Sequence, residues 1–521
     1  MVPDTVEPVA HAATGANRSR AKAQRQTPPG SACGNGLDSA DCKHRQSALR
    51  ASSDSDTRMT ATPAILTELE RALGPGGVLA GDEISEKHHV DFSGEHACAP
   101  SAVVRPGSTG ELAAVMRHCH AAGQPVVVQG GMTGLAGGAT PQPGEIAISM
   151  ERMAGIEEID TASMTATVLA ATPLQTLQEA AAEAGFLFPL DLGARGSCTI
   201  GGNIATNAGG NQVIRFGMMR NLVLGLEAVL ADGTVVSSMN RMLKNNAGYD
   251  LKQLFIGTEG TLGIVTRAVL RLYPQLPSKT AALCALGGFA EAVALLQALQ
   301  TRLGGSLSAF EAMWESYLHC VIDNVESVRS PFDERHPMYV LIETEGSDET
   351  ADRERVEAAL AHALDEGIIV DAAIAHSERE RESFWAIRDG IGDITPLLQP
   401  MLAFDVSMPI VRMPSFLARV DRDFAAGFSD VQNHVFGHIG DNNLHLAVTT
   451  GREADMPALC DIVYAATGAH DGSVAAEHGI GTLKRGYLHE SRTAEEIELM
   501  RLLKAALDPK GILNRNRVLP D

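Results

Sequence analysis

Several common signatures are absent from this sequence, and each absence excludes a class of protein. No GxGxxG follows a strand pattern and no GxxxxGK(S/T) occurs, so a Rossmann NAD site and a Walker NTPase lose their main evidence. There is no apolar run of about eighteen residues, the length that a membrane-spanning helix needs. The formal net charge of −22 argues against general nucleic-acid binding, because such binding requires a basic surface.

The eight cysteines also lack the spacing of a metal or cluster site. None of them forms a CxxC pair, which excludes iron–sulfur and zinc-ribbon proteins. The N-terminus has no apolar segment of the kind found in secretory signals. We therefore expect reduced thiols and a cytoplasmic protein, peripheral at the inner face of the membrane if it associates with one.

The first 58 residues differ in composition from the rest of the chain. They are rich in Ser, Ala, Asp and Arg, and they show no apolar period. Such a segment cannot bury enough apolar surface to offset the entropy of ordering. We expect residues 1–58 to be a disordered N-terminal extension.

A chain of 521 residues is too long for one hydrophobic core, so two or more domains are expected. Strand and helix patterns alternate from about residue 101 to residue 272, and they include a β-hairpin with Asp232-Gly233 at its turn. Pro274 and Pro277 then mark a linker. A second alternating series follows, including a helix at 413–425 and a hairpin at 433–450.

A glycine-rich loop at residues 126–138 reads VVVQGGMTGLAGG. The β-branched run predicts the end of a buried strand. The glycines allow positive φ and close approach of the backbone, and successive free N–H groups form an anion-binding nest. The loop is a candidate pyrophosphate cradle, although tight turns without a ligand also use such glycines.

Three further stretches make the ligand interpretation stronger. Residues 189–210 read PLDLGARGSCTIGGNIATNAGG, and residues 257–265 read GTEGTLGIV. EHGIG at 477–481 is preceded by HIGDNNLH at 438–445. From about Ala64 to the C-terminus, the chain resembles the vanillyl-alcohol oxidase superfamily with its PCMH-type FAD-binding fold. Within it, the motifs are similar to those of the D-lactate and D-2-hydroxyglutarate dehydrogenase branch.

The resemblance implies an α+β fold with three parts. Residues 59–275 would form a PCMH-type FAD-binding domain of two α/β subdomains. Residues 276–490 would form a ferredoxin-like cap or substrate domain with an antiparallel sheet. Residues 491–521 would return to the FAD domain.

The resemblance also implies an FAD cofactor held largely by backbone groups. Because residues 129–133 contain no histidine or cysteine for attachment, we expect the FAD to be bound non-covalently. A side chain in place of a loop glycine would push the cofactor away. Arg517 is a candidate for the family's lysine near the flavin. The implied FAD contacts are Gly130, Gly131, Met132, Thr133, Gly134, Leu135, Gly193, Ser197, Thr199, Gly201, Gly202, Asn203, Thr206, Gly210, Glu259, Gly260, Ile264, Val265 and Asn514.

Two histidines, His438 and His445, flank a short polar turn. If Asp441-Asn442 is the two-residue turn of a hairpin, the histidines pair across it and share a face of the sheet. That arrangement suits two ligands of one metal, with Glu477 as a third ligand and one open position. Two ordinary strand histidines are the alternative.

By resemblance, His438, His445 and Glu477 bind a divalent metal, either zinc or manganese, and His478 is the base. The metal would lower the pKa of a substrate hydroxyl, His478 would take its proton, and hydride would pass to flavin N5. Arg388 would hold the substrate carboxylate, with a surface salt bridge as the alternative.

Two departures from the hydroxyglutarate branch bear on the substrate. Its lysine before the Asp-containing strand is Ala403 here, and its asparagine after the second histidine is Ala447. We therefore expect a small, D-lactate-like D-2-hydroxy acid, with D-2-hydroxyglutarate as the alternative substrate. The electron acceptor would be an electron-transfer flavoprotein, a cytochrome or a quinone, and the protein could form a homodimer. An oxygen-using oxidase, a non-catalytic flavoprotein subunit and a flavin-free zinc hydrolase are further alternatives.

Overall fold

A computed structural model describes residues 63–520, and these residues form an α+β structure, as predicted. The predicted disorder of residues 1–58 lies outside the described residues. The predicted strands and helices recur with small shifts at their ends. No helix in residues 63–520 is long and apolar enough to cross a membrane. The six cysteines in this range are free thiols.

The edge strand β3 of the first sheet runs directly into the glycine-rich loop of residues 126–138. Its strands lie in the order β1-β2-β4-β3, and β4 is parallel to both β2 and β3. Buried apolar residues line both faces of its central strands, as is typical of parallel strands. Its elements are α1 (Pro63–Leu73), β1 (Val78–Leu79), β2 (Ala102–Val104), α2 (Thr109–Ala122), β3 (Val126–Gln129) and β4 (Ile146–Ser149).

The second sheet of the N-terminal half is antiparallel, with the order β5-β6-β10-β8-β9. The predicted hairpin around Asp232-Gly233 is confirmed as β8 and β9. The elements are β5 (Ile156–Asp160), β6 (Thr165–Leu169), α3 (Leu174–Glu183), β7 (Phe186–Leu187), α4 (Ile200–Thr206), α5 (Val213–Phe216), α6 (Met219–Leu222), β8 (Val223–Val229), β9 (Val235–Ser238), β10 (Ile264–Arg271) and β11 (Tyr273–Pro274).

The C-terminal half is built on a seven-stranded antiparallel sheet, as predicted for the cap. The strand order is β15-β12-β14-β13-β17-β18-β16. The elements are β12 (Ser278–Leu286), α7 (Phe289–Leu303), β13 (Leu307–Trp314), α8 (Glu315–Asn324), β14 (Met338–Gly346), α9 (Glu349–Asp365), β15 (Asp371–Ile374), α10 (Glu378–Arg388), α11 (Ile391–Ile394), β16 (Leu402–Ser407), α12 (Met413–Gly427), β17 (Gln432–Gly437), β18 (Asn443–Thr449), α13 (Met456–Ala469) and α14 (Ala494–Leu507).

Helices cover both faces of the cap sheet, but the two faces differ in chemistry. Helices α7, α9, α12 and α13 pack on one face, which is apolar along the whole sheet. Helices α8, α10 and α11 pack on the other. On this second face the register places Phe436, His445 and Asp405 side by side on β17, β18 and β16. The polar residues of this face form the candidate site.

The C-terminal segment returns to the N-terminal half of the chain. Ile512 and Leu513 are buried in the core of that half, and Leu513 forms a parallel bridge with Val126. Arg517 then fixes the end of the chain. Its guanidinium donates to the Glu145 carboxylate with Nη1 at 2.6 Å and Nη2 at 2.9 Å, and both side chains are fully buried.

Removing one partner of this buried pair should destabilise the protein strongly. We expect Arg517→Ala to lower the free energy of unfolding by about 3–5 kcal/mol, because it leaves the buried Glu145 charge with only Arg515 Nε, at 3.5 Å, as an ion partner. The matched control is Arg241→Ala, whose ion pair with Glu158 lies at the surface with side chains 42% and 48% exposed; its effect should stay below about 1 kcal/mol. Denaturant titration measures both, and equal effects would contradict this role for Arg517.

Candidate functional site

The glycine-rich loops, although distant in sequence, meet at the edge of the first sheet. A Cβ on Gly130 would lie 2.7 Å from Thr199 Oγ1, and one on Gly131 would lie 3.0 Å from the Cα of Cys198. Likewise, a Cβ on Gly260 would lie 2.9 Å from Asn514 Nδ2. The structure therefore brings together the first loop (residues 126–138), the second loop (189–210), the third loop (257–265) and the C-terminal segment.

These contacts explain the need for glycine by packing between loops, whereas we expected it to come from close approach to the cofactor. At Gly130, Gly131 and Gly260 an added Cβ would meet protein atoms, so glycine is needed for loop-to-loop packing. Gly193 is the exception among the predicted contacts, since nothing lies within 4 Å of its Cβ position. Met132 has a φ of 57°, a left-handed conformation that turns the chain at the start of the cradle.

The remaining predicted FAD residues divide into loop residues and core residues. Thr199 caps α4 by accepting from Gly202 N, and Thr206 Oγ1 donates to Gly202 O within that helix. Leu135 is exposed at the surface of the first loop. In contrast, Ile264 and Val265 bury their side chains and pair with Val229 and Ala228 of β8. Any contact of Ile264 or Val265 with FAD must therefore use the backbone.

A segment that the sequence analysis missed holds the first loop in place. Asp91 N donates to Thr140 Oγ1 at 3.1 Å, and Ser93 N donates to Gly134 O at 3.1 Å. His88 Nδ1 lies 2.7 Å from Gln129 Oε1. No local pattern marks residues 88–93 as part of the site, because their partners lie 41 to 49 residues away in the sequence.

Glu259 links the third loop to the EHGIG loop. Its carboxylate accepts from Ile480 N at 2.7 Å and from Gly481 N at 2.9 Å. Its backbone carbonyl accepts from Asn514 Nδ2 at 2.6 Å, while Asn514 Oδ1 accepts from Val128 N. Burial raises the pKa of the Glu259 carboxyl. The backbone N–H of Glu259 also donates to Ala205 O at 2.8 Å, so both its side chain and its backbone groups are engaged with the protein.

Arg517 does not take the place of the family's lysine near the flavin. Besides Glu145, its guanidinium donates to the carbonyl oxygens of Gly138 and Thr140, and it is 2% exposed. All its nitrogens are engaged with protein, so the hypothesis was wrong. The residue fixes the far end of the first loop instead.

The candidate metal ligands converge on the polar face of the cap sheet. His438 Nε2 and His445 Nε2 each lie 3.9 Å from Glu477 Oε2. The imidazole rings of His438 and His445 have centroids 5.2 Å apart and are nearly perpendicular. These nitrogen and oxygen donors suit zinc or manganese and fit the predicted set of three ligands.

The predicted pairing of His438 with His445 across a two-residue turn was wrong. His445 pairs with Phe436, and β17 ends at Gly437. His438 lies in a longer connection that includes a 3₁₀ turn and left-handed Asn442, with a φ of 77°. The extra residues fold His438 back, so its ring still reaches the same place.

His438 is oriented by a buried carboxylate, Glu311 on β13. Glu311 lies with one oxygen 2.7 Å from His438 Nδ1, and its other oxygen accepts from Arg388 Nε at 2.7 Å. Burial would raise the pKa of Glu311, but His438 and Arg388 lower it. With Nδ1–H donating to Glu311, Nε2 of His438 carries the lone pair that a metal would use, and this nitrogen lies 3.9 Å from Glu477 Oε2.

Arg388 is buried beside these ligands and is not a surface residue. It lies at the end of α10, is 4% exposed, and stacks over the Phe436 ring. Its Nη2 lies 3.2 Å from His438 Nε2. The Glu311 carboxylate raises the pKa of His438 against the effect of burial. However, the contact with Arg388 fits a neutral His438 ring better. In a protonated ring the Nε2–H donor would face the Nη2–H donor of Arg388.

Asp405 holds the loop that carries Glu477 and His478. One carboxylate oxygen accepts from the backbone N–H groups of Ala476, Glu477 and His478 at 3.1, 2.8 and 2.8 Å. The other accepts from Asn443 Nδ2 at 3.0 Å. Burial would raise the pKa of Asp405, but nearby positive groups and these donors keep it well below its usual value. This role of Asp405 was not predicted from the sequence.

Asp405, His445 and His478 form a second group with metal-binding geometry. The two groups share His445 but use different ring nitrogens, since Nδ1 faces Asp405 and Nε2 faces Glu477. The Asp405 oxygens are already engaged by four donors, whereas Glu477 Oε2 faces both His438 and His445. The group formed by His438, His445 and Glu477 is therefore the better candidate for the metal site.

His478 lies beside the metal group and has the character of a base. Its ring is roughly parallel to that of His445, with centroids 6.0 Å apart. Burial lowers the pKa of His478 below its usual value, although Asp405 acts in the opposite direction. A neutral imidazole at neutral pH can accept a proton.

Sequence comparisons agree with this architecture. Residues 100–238 match the FAD binding domain, and residues 276–518 match the C-terminal domain of FAD linked oxidases. The mitochondrial D-2-hydroxyglutarate dehydrogenase of Bos taurus is 40% identical over 459 residues, 87% of this chain and 83% of that protein. The D-2-hydroxyglutarate dehydrogenase of Xanthomonas citri is 40% identical over 440 residues, 83% of this chain and 92% of that protein. The chain belongs to the D-2-hydroxyglutarate dehydrogenase family.

Solved structures confirm the fold of this family for the present chain. p-Cresol methylhydroxylase superposes with a TM-score of 0.70 at 15% identity, covering 88% of this chain and 96% of that one. Alkyldihydroxyacetonephosphate synthase gives a TM-score of 0.67 at 18% identity, covering 88% and 86%. Together the comparisons confirm the predicted family, its PCMH-type fold and an FAD-dependent 2-hydroxy-acid dehydrogenase.

The cofactor should be bound without a covalent link. The first loop offers Gln129 to Thr133, and none of these side chains forms a flavin linkage of the histidyl or cysteinyl type. We expect the purified protein to be yellow and to release intact FAD when it is denatured. Absorption of the filtrate and of the precipitated chain measures this, and flavin retained on the washed precipitate would contradict it.

Proposed function

We propose that the protein oxidises a small D-2-hydroxy acid to the 2-oxo acid, with a metal bound by His438, His445 and Glu477. The observation that carries the proposal is the position of this group against the FAD-binding half. Glu477 Oε1 accepts from Gly210 N at 2.5 Å, while Oε2 faces the two histidines. The three candidate ligands therefore adjoin a loop assigned to FAD.

The roles of the side chains follow from their surroundings. A bound divalent metal would supply a lowered pKa for the substrate hydroxyl, and bound FAD would supply the hydride acceptor. His478, kept neutral by burial, takes the hydroxyl proton. Asp405 fixes the backbone of His478, so the base keeps its position when it becomes charged.

Arg388 is positioned to bind the substrate carboxylate. Its hydrogen bonds to described residues use Nε and Nη2, which leaves Nη1 for an anion. Glu311 holds the guanidinium from the opposite side. A planar, buried cation of this kind binds a carboxylate with defined geometry.

Loss of a metal ligand and loss of the base should have different effects. Exhaustive chelation should abolish turnover while the flavin stays bound, and zinc or manganese should restore activity. His438→Ala or Glu477→Gln should mimic chelation, because each removes a ligand. His478→Asn should keep metal and substrate but slow flavin reduction by on the order of 10²–10⁴.

Metal analysis and single-turnover flavin reduction distinguish these outcomes. Full activity in the metal-free enzyme would contradict the metal site. Flavin reduction at the wild-type rate in substrate-saturated His478→Asn would contradict the assignment of the base.

The side chain of the substrate should be short and uncharged. Ala403 pairs with Ala447, two residue pairs from the pair formed by Asp405 and His445, so both alanines lie on the site face. Ala447 is 2% exposed and packs in the apolar cluster of that face. Ala403 is exposed, and neither alanine offers a distal carboxylate the cation that would hold it.

The substrate preference can be tested with a matched pair of variants. We expect D-lactate to exceed D-2-hydroxyglutarate in kcat/KM by about 10–100-fold, the value of one hydrogen bond to a charged group. Ala403→Lys should improve D-2-hydroxyglutarate, whereas Ala403→Met, of similar length without charge, should not. A wild-type preference for the dicarboxylate would contradict the proposal and direct attention to His434, which lies opposite Ala447.

The electron acceptor, the homodimer and the cytoplasmic location stay predictions from the sequence. Hydrogen peroxide formed in step with substrate oxidation would identify the oxidase alternative.

A further inference from the structure

Glu477 is held from both halves of the chain at once. Its backbone N–H donates to Asp405 of the cap sheet, while its side-chain Oε1 accepts from Gly210 of the FAD-binding half. The remaining oxygen, Oε2, faces His438 and His445. The orientation of this ligand therefore depends on a residue outside the cap.

The Gly209-Gly210 pair is suited to this contact. A Cβ on Gly209 would overlap the Glu477 carboxylate, and one on Gly210 would overlap the carbonyl of Asp191. Gly210 also has a φ of 105°, which side chains disfavour. Only glycine at both positions lets the second loop approach the carboxylate this closely.

The next residues of the same segment anchor it to the cap. Gln212 Nε2 donates to Glu345 Oε1 at 3.2 Å, and Arg215 Nη1 donates to the Glu345 carbonyl at 2.9 Å. Ile214 packs against Gly440, where a Cβ would lie only 2.8 Å from its Cδ1. Gly440 lies in the connection between His438 and His445. One segment of the FAD-binding half thus contacts both segments that carry the metal ligands.

We propose that residues 209–215 position Glu477, so that metal binding and FAD binding stabilise each other. The inference rests on the proposed function, because it takes the metal group and the FAD loop as given. A metal that fixes Glu477 also fixes its Gly210 partner, and a loop ordered by FAD presents Glu477 to the metal. Such coupling is reciprocal by thermodynamic necessity.

The test uses the full-length FAD-loaded enzyme with and without metal. We expect FAD release, followed by flavin fluorescence under mild denaturant, to be about fivefold or more slower with zinc bound, the lower end of typical coupling. Metal content is measured on the same samples. Gly209→Ala should lower zinc affinity while the protein retains its flavin spectrum.

A matched pair of variants locates the coupling. Arg215→Ala should make the rates of FAD release with and without zinc similar, because it loosens residues 209–215 from the cap. The control is Arg267→Ala, another arginine of the FAD-binding half, whose partner Glu157 lies outside the segment; it should keep the wild-type ratio. If Arg215→Ala fails to fold, the proposal is tested by the ratio of the wild-type FAD release rates with and without zinc and by the zinc affinity of Gly209→Ala.

The outcomes separate the two proposals. Zinc bound stoichiometrically with no effect on FAD release would overturn the coupling and leave the metal site standing. No zinc bound to the FAD-loaded enzyme would overturn both. A slower release that persists unchanged in Arg215→Ala would overturn the assignment to residues 209–215.

Discussion

The buried carboxylate of Asp405 is the constraint on which the site depends. It gathers three consecutive backbone N–H groups from residues 476–478 and so fixes Glu477 and His478. Through β16 and β18, the same residue lies beside His445. The Asp405 carboxylate therefore helps to position two candidate ligands, Glu477 and His445, and the candidate base His478. Its two oxygens are satisfied by these donors, which explains how it stays ionised without solvent.

The glycine-rich loops show a second constraint, which is packing between loops. Gly130 and Gly131 let the first loop lie against residues 197–199, and Gly209 lets the second loop reach Glu477. The side chains of Asp91, Glu259 and Arg517 hold this assembly, and the Asp91 carboxylate accepts from Ala139 N at 3.3 Å. A binding surface made of backbone groups is rigid only when its neighbours are fixed in this way, so these side chains contribute to the site without facing a ligand.

Much of the fold could be predicted because its signals are local. The alternation of strands and helices, the hairpin at Asp232-Gly233 and the helix at Met413–Gly427 all follow from periodicity and turn residues. The role of Glu311 could not be predicted, since it lies 127 residues from His438. The position of His438 was missed because the connection after β17 includes a 3₁₀ turn. The convergence of the ligands was nevertheless predicted, because the motif resemblance carries long-range information.

The central claim is that His438, His445 and Glu477 bind one metal ion. The most direct measurement is a crystal structure of the zinc-loaded enzyme with data collected on both sides of the zinc absorption edge. The account predicts one anomalous peak about 2.0–2.2 Å from Nε2 of His438, Nε2 of His445 and a Glu477 oxygen. A peak between Asp405, His445 and His478, or no peak on this face of the sheet, would contradict it.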